Sequence, residues 1–233
     1  MGGAFAWVVL ALASHLAAEA AEPPSTDYAL VDFSPGHDPD VLARELCLRF
    51  GCTIRHVYRG LPGMAIVGGR RSALERADGV SRVTSDPEVH FQPNSAQLIG
   101  APGWAPMAVI GAGLDSDRVI VEKTARFTSG EAGRKAADET TDLVAPLVER
   151  QPERKFWSLT VVGPDGTGRL SDVLAALDYI LTYRFAVSVV YMPMVLSAQP
   201  APRLCVMIDQ VLRHGLLVVT DIDRNCPIVS AYP

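Results

Sequence analysis

Residues 108–118, AVIGAGLDSDR, set a Gly-x-Gly loop directly behind a short apolar run. A loop of this kind can cradle a pyrophosphate on backbone N–H groups, but the dinucleotide fingerprint needs a third glycine three residues on. Ser116 stands there, so dinucleotide binding is set aside. The cysteines Cys47, Cys52, Cys205 and Cys226 include no Cys-x-x-Cys and no closely spaced Cys/His set, so no zinc site is expected. As disulfides they pair in about three ways. Proximity favours Cys47–Cys52 and Cys205–Cys226, and buried free thiols are the other reading. His37, His56, His90 and His214 scatter among turn, strand and helix ends and read as surface or packing residues. Nothing calls for a metal or another cofactor.

The chain has 233 residues and a formal net charge of −5. That length supplies one large or two small cores. The mild acidity gives no electrostatic reason to expect nucleic acid or an anionic membrane as partner. Residues 1–20, MGGAFAWVVLALASHLAAEA, form an apolar stretch ending in the small-x-small pattern Ala18-Glu19-Ala20. They read as a secretory signal cut after Ala20, which places the cysteines in an oxidising, extracellular setting. No later segment is long and apolar enough to span a bilayer.

The elements fall into two groups. DYALVDF alternates as a strand, and Asp38 is a good N-cap for a helix reaching about Phe50, with Val41, Leu42, Leu46 and Phe50 near helical spacing. CTIRHVYRG and GMAIVG read as strands around the turn Leu61-Pro62-Gly63. RSALERADG is a short helix closed by Gly79, and VSRVT is a fourth strand. The order β-α-β-β-α-β is the ferredoxin-like α+β arrangement. Residues 93–106, rich in Pro, Gly, Asn and Gln, read as a linker. Beyond it FWSLTVVG, FAVSVVYM and LLVVT are strands alternating with helices. One carries Leu170, Val173, Leu174, Leu177 and Leu181 on a face, and another turns Leu204, Met207, Ile208, Val211 and Leu212 inward. This predicts an α/β unit with a parallel sheet.

Residues 27–92 resemble the inhibitory propeptide of subtilisin-like serine proteases. The likeness lies in the opening strand, the helix before TIRHVYRGLPGMAIV, and the ending DGVSRVTSDPEVHFQ. Residues 107–233 resemble a partial, proteinase K-like catalytic domain: LTVVGPDGTGRLSDVLAALDYI is close to that family's strand, Gly-rich turn and helix. The resemblance implies that AVIGAGLD occupies the place of the Val-Ile-Asp-Thr-Gly strand end. Gly111 then stands at the position of the triad aspartate. In DETTDLVA, the best match to Gly-His-Gly-Thr-His-Val-Ala, Asp142 stands at that of the histidine.

A Ser-His-Asp triad needs all three members in role, and a carboxylate is a poor base for a serine hydroxyl. The oxyanion asparagine aligns with Arg224 or Asn225, and the sequence contains no Gly-Thr-Ser-Met-Ala nucleophile segment. In the groove strand YMPMVL, Pro193 removes a backbone donor, and Val195 and Leu196 replace glycines that let substrate approach. The expectation is a secreted, catalytically inactive subtilisin-like protein. Its tail Glu88, Val89, His90, Phe91 and Gln92 would lie in the cleft of an active subtilisin-like protease as an added strand. The alternative is a fragment or truncated form of a subtilisin-like endopeptidase.

Overall fold

The computed structural model describes residues 27–92, 105–129, 133–196 and 201–220. The expected signal at 1–20, most of the linker, Arg224, Asn225 and Cys226 lie outside them. Among the described residues the chain is a mixed α/β protein with one antiparallel four-stranded sheet, one parallel five-stranded sheet and a small three-stranded sheet.

The first sheet is built from β1 (Tyr28–Phe33), α1 (Pro39–Phe50), β2 (Cys52–Tyr58), β3 (Gly63–Gly68), α2 (Arg71–Glu75) and β4 (Val80–Ser85), with strand order β2-β3-β1-β4. Helix α1 starts where Asp38 caps it, its carboxylate accepting from the Asp40 and Val41 amides at 2.9 and 3.1 Å. It ends at Gly51, whose left-handed φ of 72° returns the amide to the Cys47 carbonyl. The buried face of α1 is Leu42, Ala43, Leu46 and Cys47, whereas Val41 is turned to solvent. Helix α2 stops at Arg76 rather than at Gly79, which instead takes positive φ in the turn into β4. The Cys47–Cys52 disulfide ties the end of α1 to the start of β2, as fits an oxidising compartment. Cys205 is also disulfide-bonded.

The second unit contains β6 (Met107–Gly111), β7 (Ile120–Arg126), α3 (Arg134–Arg150), β8 (Lys155–Thr160), α4 (Leu170–Thr182), β10 (Val189–Met192), α5 (Pro202–Arg213) and β12 (Leu217–Thr220). Its sheet order is β12-β10-β6-β8-β7, parallel throughout. Strand β6 is buried at every residue because both faces of this sheet are covered. Met107 and Val109 pack with Val144 and Leu147 of α3. Ala108 and Ile110 pack with α4 and α5.

Leu30, Tyr58 and Ala65 of the antiparallel sheet belong to that same cluster with α4 and α5. The opposite face, through Val31, Met64 and Ile66, packs under α1 and α2. The layers are therefore α1/α2, antiparallel sheet, α4/α5, parallel sheet and α3. No helix among the described residues is long and apolar enough to cross a membrane.

Candidate functional site: a strand held between two distant segments

Strand β4 ends at Ser85, and after only two residues the chain re-forms as β5 (Glu88–Phe91). Strand β5 does not extend the first sheet. It lies antiparallel between β9 (Thr167–Arg169), from the Gly-rich turn, and β11 (Met194–Leu196). Its register sets Val89 opposite Gly168 and Leu196, and Phe91 opposite Met194. The pairing continues past the strand, since the Phe91 amide donates to the Gly166 carbonyl at 2.8 Å and the Gln92 amide to the Pro193 carbonyl at 3.2 Å.

Side chains alternate as a strand requires. Val89 is fully buried in the core shared with α4 and α5, Phe91 packs against that core, and Glu88 is exposed beside Arg169. Strand β11 thus accepts a partner despite Pro193. That residue lacks an N–H but keeps its carbonyl, and the carbonyl is what the tail uses.

The turn before β9 is held by its own side chains and packs closely on Val161. Asp165 accepts from the Thr167 amide at 3.0 Å and from its hydroxyl at 2.7 Å, and these bonds hold its carboxyl below the usual range. Gly168 leaves no room for a side chain, because a Cβ would overlap the Val161 carbonyl oxygen.

At the C-terminal end of β6 sits Gly111, fully buried. A Cβ placed there would meet Thr140 at 3.5 Å and Phe91 at 3.9 Å. The helix residue facing Gly111 is therefore Thr140, whose hydroxyl donates to the Ala136 carbonyl at 2.8 Å within its own helix. Asp142 is not brought to Gly111. Two positions along an α-helix turn the side chain by about 200°, and its exposed carboxylate pairs with Arg118 at 2.6 Å. Thr141 accepts from the Asp115 amide at 2.9 Å. Neither Gly111 nor Thr140 can hold an imidazole tautomer or take a proton from a hydroxyl. The sequence did not single out Thr140 as the residue facing Gly111.

A polar cluster stands where the chain passes from β4 to β5. The buried Asp172 carboxylate accepts from Arg55 Nη2 at 2.8 Å and pairs with His56 Nε2 at 2.7 Å. Tyr58 donates its hydroxyl to the Ser171 carbonyl at 3.0 Å, and burial pushes its pKa well up. Asp86 accepts from the Ser171 amide at 2.9 Å, satisfying an orphan N–H in the first turn of α4. Burial drives the Asp86 carboxyl above its usual range.

That shift has a signed consequence. With the folded pKa raised, the folded chain keeps a proton that the unfolded chain has released, so stability falls as pH rises between the two pKa values. Asp86→Asn keeps an oxygen for the Ser171 amide and removes the titration. Relative to the native chain, the variant should gain stability from pH 3 to pH 7, as read by urea midpoints. An unchanged difference across that range would contradict the assignment.

Among the described residues no group of three or more His, Cys, Asp or Glu side chains is arranged to hold a metal ion. No protein-family model matches the sequence, and no curated protein matches it. Among solved structures the chain is similar to phospho-2-dehydro-3-deoxyheptonate aldolase from Thermotoga maritima. The identity is 11% and the TM-score 0.21, over 83% of this chain and 60% of that one. The chain spans about 60% of the length of that aldolase, and a likeness this slight carries no argument about fold or function.

Proposed function

We propose that this chain is a secreted, catalytically inactive subtilisin-like protein. Its N-terminal module fills the chain's own substrate groove and, once released, binds the groove of an active subtilisin-like serine protease. One observation carries the reading: β5 runs antiparallel between two groove strands, one side chain away from a Gly111–Thr140 pair that has no triad chemistry. The sheet order β2-β3-β1-β4, with α1 and α2 on one face, supports a ferredoxin-like module of the propeptide kind. The parallel sheet with the Gly-rich turn leading into α4 supports the subtilisin-like second unit. The Cys47–Cys52 disulfide fits an extracellular site of action.

Inhibition by strand addition draws affinity from main-chain bonds and selectivity from alternate side chains. The module 27–92 carries its own core beneath α1 and α2, so it should inhibit subtilisin in competition with a peptide substrate. Removing residues 89–92 takes away the strand contacts and two apolar anchors, each worth about 1.5 kcal/mol or more when buried. The inhibition constant should rise by about 100-fold or more. Equal inhibition by both forms, or none by either, would count against the reading.

A further inference from the structure

The docking face is held at both ends. Next to the tail, Asp172 takes Arg55 and His56, and Asp86 takes the Ser171 amide. Midway, Asp178 of α4 accepts the Arg59 and Gly60 amides at 3.1 and 2.6 Å. At the other end stands Arg203, in the first turn of α5 and buried. It pairs with Asp32, donates to the Val31 and Leu61 carbonyls at 3.3 and 3.0 Å, and lies over the Tyr58 ring at 4.8 Å. Gly63 makes room for it, since a Cβ there would overlap the guanidinium. Along β1 Arg203 lies toward the end away from the tail: Ser85, where the tail departs, pairs with Ala29 at the start of that strand, whereas Asp32 is near its end, and Tyr58 touches both Arg203 and Ser171.

The tail itself has little freedom to leave separately. Only Asp86 and Pro87 join it to β4, and both are fixed. The Asp86 amide donates to the Tyr28 carbonyl at 3.2 Å, and the Pro87 carbonyl accepts from the Leu170 amide at 2.9 Å. Val89 is wholly buried and β5 is bonded on both edges. Fraying β5 alone would strip both rows of bonds and expose Val89, while the module stayed anchored through Asp86.

We propose that the module and its tail undock as one rigid body, with Arg203 as the latch. The full chain is then a latent inhibitor: β5 reaches a second protease only when the Arg203 contacts open. This latency rests on the reading that β5 fits another protease's groove.

Hydrogen exchange on the full chain tests it. Arg203→Met keeps the apolar stem against Tyr58 and removes the guanidinium. The Phe91 and Gln92 amides should then exchange at least about tenfold faster, in step with the Ser171 amide that Asp86 holds across the docking face, while amides of β6 and β8 keep their rates. Asp32→Asn weakens the same latch from the module side without changing its shape, and decides the matter if Arg203→Met fails to fold. Unchanged exchange at Phe91 and Gln92 in the folded variant would overturn the proposal, as would acceleration there without any at Ser171. Subtilisin inhibition by the intact variant should exceed that by the native chain. Faster exchange with no inhibition would refute the inhibitor reading and leave the latch standing.

Discussion

Replacing Gly168 with alanine should dislodge β5 from its groove and lower the stability of the whole chain by about 3 kcal/mol. Gly168 pairs with Val89 on one side and bridges to Val162 on the other. A methyl group there would overlap the Val161 carbonyl oxygen and sit 3.1 Å from Val162 Cγ1. The first of these is backbone and cannot rotate away, so β9 must shift. Yet β9 is fixed by the turn behind it, where the Gly163 amide donates to the Thr167 carbonyl at 2.7 Å. The strain therefore falls on the β5–β9 pairing. In a domain of this size the loss should lower Tm by about 6–12 °C. Calorimetry with hydrogen exchange at Phe91 checks it; an unchanged Tm with full protection at Phe91 would contradict the geometry.

Asp172→Ala should be comparably severe, costing about 3 kcal/mol or more. Asp172 is 1% exposed and is the shared partner of Arg55 and His56, themselves only about one-sixth exposed. Removing it leaves the Arg55 guanidinium at a face packed against α4 with no carboxylate to meet it. The cost exceeds that of an ordinary surface ion pair because the partner left behind is desolvated. The loss should appear as module undocking, with exchange at the Ser171 and Phe91 amides rising together while β6 stays protected. Asp172→Asn should recover part of the loss by keeping one acceptor. A variant with native exchange at both amides would show that the cluster does not hold the module.

Much of the fold was legible because local signals and burial agreed. Asp38 marked the start of α1, the apolar positions of α4 and α5 named their buried faces, and the turn Leu61-Pro62-Gly63 separated β2 from β3. Val41 was misplaced because Ala43 and Cys47 complete the inward stripe, and small residues weigh little in a count of large apolar ones. Strand β7 gave no signal: it is a sheet edge whose residues alternate between exposed and half-buried, with Glu122, Lys123 and Arg126 among them. Helix α3 is polar outside its buried stripe and contains Pro146, both of which mask its period.

The site was legible in part. The tail 88–92 could be named from its sequence, but not that it pairs within its own chain, since that depends on β9 and β11 being brought to one place by distant segments. Gly111 could be placed at a strand end, yet which helix residue faced it was a question of rotation, and only the packing of α3 on β6 put Thr140 there.

The central claim, a groove occupied by its own strand beside a centre without triad chemistry, is tested most directly by a fluorophosphonate probe. The purified full chain would be incubated with it, followed by intact-mass analysis and a peptidase assay. Gly111 and Thr140 leave no base to activate a serine, so the account predicts no covalent adduct, no hydrolysis and no self-cleavage at the Gln92–Pro93 bond. A stoichiometric adduct on one serine, lost when a nearby histidine is replaced, would contradict it.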